Sequence, residues 1–374
     1  KKMVNSSTMT LIVIVMAFYF IGMIAISWMG RKYGKNFDDF ISAGRNCTTL
    51  MIIGSAVGSH IGNGYVVGGA ASGAAVGLSG AWYGIGCALS YLAVALVLNH
   101  RVYKCGYISL PEILNARYGE KMTSVIFSVT TALSYIANIA AQLMAGKALF
   151  EALGFNGTLG VWVIAVVVMA YSCISGLWGA CATSVVQVAI IIVSLLATFF
   201  IVLGRGAFGL VTEAVANGLA PASYFDMGAD GIAAILITIV PISLASLCEQ
   251  CTVQRITSAK SEKTSFRALI LSVIIMIPCA LMPAFIGMYG YVLFGDTTNS
   301  VFFKVALDVL PSFFAALLIA AVVAAIMSTI DTMFVAFSTI IMHNIYRGMI
   351  NPDASEGTLK KGDFACHLFL TVGA

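Results

Sequence analysis

The sequence is poor in charged residues: they make up 10% of its 374 positions, whereas 60% are hydrophobic. A soluble globular domain has roughly a quarter of its residues charged. Twenty Lys and Arg with 16 Asp and Glu cannot cover a water-facing surface. The composition therefore excludes a soluble enzyme, a nucleic-acid-binding protein and a disordered chain. The net charge of +4 does not indicate a nucleic-acid partner.

The sequence also lacks the alternation of apolar and polar residues, over about ten positions, that is typical of membrane β-strands. Its apolar runs are continuous and longer. Because only helices and closed barrels satisfy their backbone hydrogen bonds in lipid, the sequence predicts an all-α polytopic protein of the lipid bilayer. Ten segments approach the length of about 20 residues that one span needs: 9–29, 47–75, 80–99, 122–150, 158–175, 180–203, 229–250, 268–294, 311–345 and 364 onward.

The basic residues are distributed unequally between the two sides. If the N-terminus lies outside, 15 of the 20 Lys and Arg fall on the inner side. The positive-inside rule favours this orientation. We therefore expect a multi-pass protein of the plasma (cell inner) membrane with its N-terminus outside. Arg255 then lies in an inner connecting segment, and no Lys or Arg lies in the middle of a span.

Cysteine offers little chemistry. Cys248 and Cys251 form a C-x-x-C pair, but no second pair follows and no His lies near it in the sequence. A zinc or redox pair is therefore disfavoured. Buried free thiols are the better interpretation of the pattern.

Glycine is concentrated in the second predicted span (47–75). Each Gly costs a helix roughly 1 kcal/mol relative to Ala. Close helix packing through small residues explains part of this glycine. However, the run Gly62-Asn63-Gly64 places two glycines and a polar residue in the middle of the span. We expect the helix to break there, because a broken membrane helix frees carbonyls that bind a cation and amides that bind an anion.

The ninth predicted span carries Asp331, the acid that lies well inside the bilayer and is therefore a functional candidate. Ser328, Asp331 and Thr332 share one helix face, and Thr329 points partly the same way. Two hydroxyls and a carboxylate suit a hard cation such as sodium. An alternative is that Ser and Thr bond back to a carbonyl of their own helix, which accounts for Ser328 and Thr329 but not for Asp331.

Three more polar residues fall inside predicted spans. With no second His in mid-membrane, a proton relay through His60 is disfavoured, which leaves a solute contact or a packed polar residue. Asn138 and Gln142 share one face of the fourth span, where they line a polar path or cross-link helices. Both interpretations stay open.

Several stretches resemble the sodium:solute symporter family over nearly the whole chain. They are F-D-D-F-I-S-A-G-R-N (37–46), G-N-G-Y (62–65), Y-I-A-N-I-A-A-Q-L-M-A-G (135–146), G-L-W-G-A-C-A-T-S-V-V-Q (176–187), V-Q-R-I-T-S-A-K (253–260), A-A-I-M-S-T-I-D-T (324–332) and N-I-Y-R (344–347).

This resemblance implies a five-plus-five inverted-repeat core with a LeuT-like fold. One extra helix (9–29) precedes the core, and the whole chain forms a single transmembrane domain. The first repeat would cover 46–204 and the second 229–374. Because the second repeat is one helix short, we expect the natural protein to continue beyond residue 374.

The resemblance also implies sodium as the coupling ion. Carried over by position, the first sodium site would combine three backbone carbonyls with two hydroxyls. These groups belong to Val57 (or Ala56, one residue earlier), His60, Ala325, Ser328 and Thr329.

A second sodium site in some relatives uses an Asp in the fifth core helix. Here Ser184 stands at that position, between Thr183 and Gln187. We expect Asp331 to supply the missing charge from the facing helix. The second site would then be formed by Ser184, Ser328, Asp331 and Thr332.

The resemblance implies a sodium-coupled secondary active symporter of a small organic solute that works by alternating access, and not an enzyme. A neutral or zwitterionic solute is favoured because no fixed positive charge is expected in mid-membrane. An alternative function is a transporter-like sensor that signals through a module beyond residue 374. The solute would bind near His60, Asn63, Tyr65, Asn138, Gln142, Ser243 and Ser246.

Overall fold

The computed structural model describes residues 6–119 and 121–373, and these residues are mostly helical. Within these two ranges there is no β-strand. Lys1 and Lys2, which contribute to the predicted orientation, lie outside the described residues. The α-helices in chain order are α1 (Ser6–Gly30), α2 (Phe37–Ser42), α3 (Thr49–His60), α4 (Asn63–Val76), α5 (Trp82–Ala93), α6 (Asn99–Cys105), α7 (Leu110–Tyr118), α8 (Lys121–Ala152), α9 (Gly157–Gly204), α10 (Ala207–Ala216), α11 (Gly231–Leu247), α12 (Gln250–Thr257), α13 (Glu262–Phe294), α14 (Ser300–Lys304), α15 (Ser312–Ser338) and α16 (Glu356–Gly373).

Side-chain caps define where several core helices begin. The Thr48 hydroxyl accepts from the Met51 N–H at the start of α3. Asn156 caps α9 in the same way, and Ser261 caps α13. Such caps satisfy N–H groups that have no partner within the helix, and each stabilises a helix by about 1 kcal/mol.

Six helical segments among the described residues are long and apolar enough to cross a membrane, or seven if one bent pair is counted. Two of them have more than 40 residues, which is twice the length of about 20 residues that one crossing takes. The segment Asn63–Cys105 has 43 residues and contains the turn Gly77–Ala81. The segment Gly157–Gly204 has 48 residues and is kinked at Gly176, where φ is 55° and ψ is −144°. The left-handed φ explains a glycine at this kink.

The predicted discontinuity of the second span is confirmed. Helix α3 ends at His60 and α4 begins at Asn63, so Ile61 and Gly62 separate the two halves. A second discontinuity was not predicted. Helices α11 and α12 meet at an angle of 55°, with Cys248 and Glu249 between them.

Helix α15 occupies the centre of the bundle. All but a few of its side chains are buried, and it packs against α9, α1, α8 and α3. Small residues such as Ala320, Ala321, Ala324 and Ala325 let the neighbouring helices approach closely. The polar side chains of α15 therefore face protein on every side, which places them where a buried site can form.

Candidate ion and solute site

The break after α3 exposes backbone oxygens. The carbonyl of Val57 accepts the last bond of the helix, from the Ile61 N–H at 2.8 Å. The chain then turns into the extended conformation of Gly62, with φ −83° and ψ −169°. The carbonyls that follow Val57 therefore lose the helical partners they would have in a continuous helix. This break supplies acceptors inside the protein without any charged side chain.

The hydroxyls of α15 meet these freed carbonyls. Ser328 Oγ donates to the Gly58 carbonyl at 2.7 Å, and Thr329 Oγ1 lies 3.3 Å from the Ser59 carbonyl. The same hydroxyls lie 3.1 and 3.0 Å from the Ala325 carbonyl on their own helix. Each hydroxyl thus contacts a carbonyl of its own helix and a carbonyl freed by the break. The donor set consists of oxygen atoms only, which fits a hard alkali cation.

Two glycines allow this close approach. A Cβ added to Gly58 would lie 3.2 Å from the Cβ of Ser328, and one added to Gly62 would lie 2.9 Å from Thr329 Oγ1. Any larger residue would push α3 and α4 away from α15. The glycine of the second span therefore serves the contact with α15 as well as the break itself.

The structure brings together Ala325, Ser328 and Thr329 of the predicted first sodium site. On the α3 side, the carbonyls nearest to the two hydroxyls belong to Gly58 and Ser59. Val57, which was predicted, lies one position earlier. Val57 and His60 as ligands stay predictions, since each carbonyl oxygen has a second lone pair.

Asp331 contacts α9. It is fully buried and accepts a hydrogen bond from Ser172 Oγ. Thr183 Oγ1 lies 3.3 Å from the other carboxylate oxygen. No local sequence pattern indicates Ser172, because its role depends on how α9 packs against α15.

The other residues of the predicted second site have different partners. Thr332 Oγ1 donates to the Ser328 carbonyl at 3.0 Å, which is a bond within α15. Ser184 is buried, and its hydroxyl has no hydrogen-bond partner among the described residues. It is the neighbour of Thr183 on the helix that Asp331 faces. The second site therefore stays a prediction, with one unsatisfied oxygen that is available to a ligand.

A cavity of about 550 Å³ adjoins the break. This volume falls in the usual range of small-molecule sites, about 300–1,000 Å³. Thr329 lines the cavity as well as contacting the break, so the candidate ion site and the cavity share a wall. Five of the predicted solute residues line it: His60, Tyr65, Asn138, Gln142 and Ser246.

Two predicted solute residues, Asn63 and Ser243, are half-buried and are not among the residues that line the cavity. Tyr65 lines it with its ring, because its hydroxyl donates to the Met276 carbonyl at 2.6 Å. His60 is held between Tyr91 and Ser246. Its Nδ1 lies 2.7 Å from Tyr91 Oη and its Nε2 lies 3.5 Å from Ser246 Oγ.

The prediction that Arg255 lies in a connecting loop is wrong. Its side chain is 1% exposed and is enclosed by the helix bundle. Its guanidinium donates to Ser55 Oγ at 3.1 Å, to Tyr91 Oη at 3.0 Å and to Ser59 Oγ at 2.6 Å. The bend between α11 and α12 causes this, because it directs α12 against α3. A fixed positive charge is therefore buried inside the protein, beside the break.

Glu249 is a cavity residue that the sequence analysis missed. It lies at the bend between α11 and α12 and lines the cavity with a side chain that is 21% exposed. The sequence feature that could have indicated Glu249 is the presence of an acid at the end of the predicted span 229–250. Its neighbour Cys248 is exposed, so the prediction of buried thiols holds for Cys251 but is wrong for Cys248.

The profile of the sodium:solute symporter family matches residues 40–374. The chain belongs to this family. The sodium/proline symporter of Escherichia coli (strain K12) is 24% identical over 369 residues, which cover 91% of this chain and 71% of that relative. The sodium/glucose cotransporter 1 of Oryctolagus cuniculus is 24% identical over 88% of this chain and 57% of its own length.

A solved structure shows the same fold. It is a Na⁺-coupled sialic acid symporter in a substrate-bound, outward-open state, and it is 17% identical in sequence. The match has a TM-score of 0.84 and covers 97% of this chain and 80% of that one. The predicted fold class, an inverted-repeat transporter core with an extra N-terminal helix and a discontinuous second span, is confirmed.

Family membership also confirms the predicted class of function. The chain is a multi-pass integral membrane transporter and not an enzyme. It is a sodium-coupled symporter of a small solute. The family and the relatives described above are transporters, so the alternative of a sensor domain gains no support.

Proposed function

We propose that this symporter binds sodium where the break after α3 meets α15, and that the solute binds in the adjoining cavity. One observation carries the proposal. The hydroxyls of Ser328 and Thr329 contact backbone oxygens that the break has freed, and Thr329 also lines the cavity. Closing this contact around an ion would order the wall against which the solute rests.

The first sodium site would use the carbonyls of Val57, His60 and Ala325 with the hydroxyls of Ser328 and Thr329. The short contact between Ser328 Oγ and the Gly58 carbonyl supports an ion at this junction. When sodium is bound, the hydroxyl oxygens would turn lone pairs toward it and release the carbonyls they now contact.

The second sodium site would be formed by Ser184, Ser328, Asp331 and Thr332. Two observations support it. A fully buried carboxylate that accepts from hydroxyls and forms no salt bridge with the described residues is costly inside a membrane protein, and a cation would offset that cost. In addition, the buried Ser184 hydroxyl has no partner within the described part of the chain.

The solute would contact the residues that line the cavity, namely His60, Tyr65, Asn138, Gln142 and Ser246, with Asn63 and Ser243 beside them. A neutral or zwitterionic solute is favoured. The buried Arg255 does not change this, because it is 1% exposed and does not line the cavity. The two relatives described above are a sodium/proline symporter and a sodium/glucose cotransporter.

Residues 46–204 and 229–374 would form the two repeats of a single transmembrane domain. Support comes from the two discontinuities, because the first span of each segment is broken, between α3 and α4 and between α11 and α12. The bias of Lys and Arg supports an N-terminus outside the plasma membrane.

Alternating access then follows a simple cycle. Sodium ties α3 to α15 and the solute enters beside the break; the outer side closes, the inner side opens, and sodium leaves to the low-sodium interior. One charge moving through 100 mV contributes about 2.3 kcal/mol. A tenfold sodium gradient adds about 1.4 kcal/mol. Each sodium ion could thus sustain a several-hundred-fold gradient of a neutral solute.

The first site is tested by sodium binding to the purified protein, followed as thermal stabilisation in NaCl against KCl. Ser328→Ala and Thr329→Ala should each raise the half-saturating sodium concentration about tenfold, because a ligand oxygen is lost. Ser338→Ala is the matched control, since this buried serine of α15 bonds only to Val335 of its own helix. Equal sodium affinity in all variants would place the site elsewhere.

The second site is tested by the Hill coefficient of the same titration. We expect a value above one in the unmodified protein and a value near one in Asp331→Ala. A value near one in both proteins would reject the second site and leave the first intact.

A further inference from the structure

Glu249 is the charged side chain that faces the cavity. The lining residues include no Asp, Lys or Arg among those the structure describes, and His60 lines the cavity beside the break. Thr252 Oγ1 lies 3.2 Å from Glu249 Oε2, and Arg255 Nη1 lies 3.9 Å from the same oxygen. No hydrogen bond from the described residues engages the other carboxylate oxygen, Oε1.

Arg255 stands behind this carboxylate without reaching the cavity. All three guanidinium nitrogens are engaged by hydroxyls, and the side chain is 1% exposed. The charge that a solute meets is therefore negative, although the net charge of the pair is zero. A carboxylate in a partly buried wall attracts a cation more strongly than it would in water.

Aromatic residues share the cavity with Glu249. Tyr65, Tyr83, Phe127 and Tyr135 also line it. The faces of such rings attract a positively charged nitrogen. A cavity lined by a carboxylate and by aromatic rings has the chemistry to recognise an amine or a quaternary ammonium group.

We infer that Glu249 is a specificity-determining residue, which receives a cationic nitrogen of the transported solute. This deepens the proposed function and rests on its assignment of the cavity to the solute. The solute class is then a small organic amine, either a zwitterion such as an amino acid or a quaternary ammonium compound. A neutral polyol, which would only donate hydroxyls to Glu249, is the alternative that the experiment separates.

The charge of the cavity can be measured without knowing the solute, because the exposed Cys248 precedes Glu249 and lines the same cavity. Purified protein is treated with trimethylammonioethyl methanethiosulfonate, a cation, or with sulfonatoethyl methanethiosulfonate, an anion. Modification at Cys248 is followed by peptide mass spectrometry. At low ionic strength we expect the cation to react about tenfold faster, and Glu249→Gln to remove this preference.

Glu213→Gln is the matched control, since it removes an exposed acid on α10. It should leave the ratio of the two rates unchanged. If Glu249→Gln fails to fold, the unmodified protein still tests the inference. Its ratio of cation to anion modification rates should fall as the salt concentration is raised. A ratio that neither salt nor Glu249→Gln changes overturns the inference.

Binding of solute probes completes the test, followed by thermal stabilisation in NaCl. The probes are choline against dimethylbutanol, L-proline against tetrahydrofuroic acid, and D-glucose. The second member of each pair lacks the charged nitrogen. We expect at least one amine to bind about tenfold more tightly than its partner, with this advantage kept in Glu249→Asp and lost in Glu249→Gln.

Three results overturn the inference: no amine binds, the partners without the charged nitrogen bind equally well, or D-glucose alone binds. Amine binding that depends on Glu249 but not on sodium would contradict the proposed ion coupling and leave the role of Glu249 intact. The two proposals therefore fail in distinguishable ways.

Discussion

The break between α3 and α4 contains glycine and no Asp, Glu, Lys or Arg, whereas the break between α11 and α12 contains Glu249 and is followed by Arg255. The first presents backbone oxygens to α15. The second presents a carboxylate to the cavity. An ion site of neutral oxygens selects by size and coordination, while a charged side chain selects by the sign of the ligand. One kind of discontinuity can thus serve two kinds of recognition.

The two breaks are also in contact. Arg255, on α12, donates hydrogen bonds to Ser55 and Ser59 on α3. Ser59 supplies one of the carbonyls that Thr329 approaches. We therefore expect a change at either break to affect the other through this guanidinium group. Variants that separate the two breaks test this expectation.

Replacing Arg255 should have the largest effect. Arg255→Gln removes the guanidinium that joins α12 to α3 and leaves Glu249 without a counter-charge. We expect the free energy of unfolding to fall by about 3 kcal/mol, as when one partner of a buried ion pair is lost. Arg255→Lys keeps the charge but loses the planar fork, so its loss should be smaller. Thermal unfolding in detergent measures both.

Arg205→Gln provides the control for this prediction, since Arg205 is exposed in the connection after α9. If Arg255→Gln were no less stable than Arg205→Gln, the guanidinium of Arg255 would not stabilise the contact between the two breaks.

A methyl group at Gly62 should disturb the first break alone. The added Cβ of Gly62→Ala would lie 2.9 Å from Thr329 Oγ1 and 3.3 Å from Gln142 Nε2. Overpacking of this kind costs about 1–3 kcal/mol, so we expect sodium affinity to fall about tenfold or more. Gly68→Ala on the same helix is the matched control, because its added Cβ meets nothing within 4 Å. Equal sodium titrations for the two variants would contradict the prediction.

The smallest effect is expected away from both breaks, at Glu112 on α7. Its Oε1 lies 2.7 Å from His343 Nε2, and its Oε2 accepts from the N–H groups of Ile108 and Ser109. Burial alone would raise the pKa of Glu112, but His343 and these N–H groups hold the pKa below its ordinary value. The ionised carboxylate therefore stabilises the fold above that ordinary pKa, and the contribution is lost as pH falls through the lowered pKa.

Glu112→Gln should consequently cost about 1 kcal/mol at neutral pH, as for the loss of a helix cap. Thermal unfolding across pH should show the difference from the unmodified protein shrinking below about pH 4, where the carboxyl protonates. The sodium titration should stay unchanged. A shift in sodium affinity would mean that α7 is coupled to the first break.

Local signals account for what the sequence predicted. Gly62-Asn63-Gly64 breaks a helix by its own conformational preference, and Ser328 with Thr329 lies at a spacing that follows from helix geometry alone. The all-α membrane class follows from apolar length, whereas the inverted-repeat core was implied by the resemblance to the family. The sequence left the carbonyls of Val57 and Ala56 as alternatives, because one residue turns a helix by about 100° and only packing against α15 fixes that rotation.

The remaining features depend on tertiary contacts. The span 229–250 gave no glycine signal at Cys248 and Glu249, so the bend between α11 and α12 was not expected. The burial of Arg255 follows from that bend. The contact of Ser172 with Asp331 depends on how α9 and α15 pair. None of these pairings leaves a mark in the local sequence.

The position of Thr329 has a thermodynamic consequence. Its hydroxyl approaches the broken helix, and the same residue lines the cavity proposed for the solute. Linkage requires that whatever factor the ion gives to solute affinity, the solute returns to ion affinity. A single threonine that contacts both sites would be enough to couple ion affinity to solute affinity, without a longer chain of contacts. Cotransport here would begin as a reciprocity between two immediate neighbours.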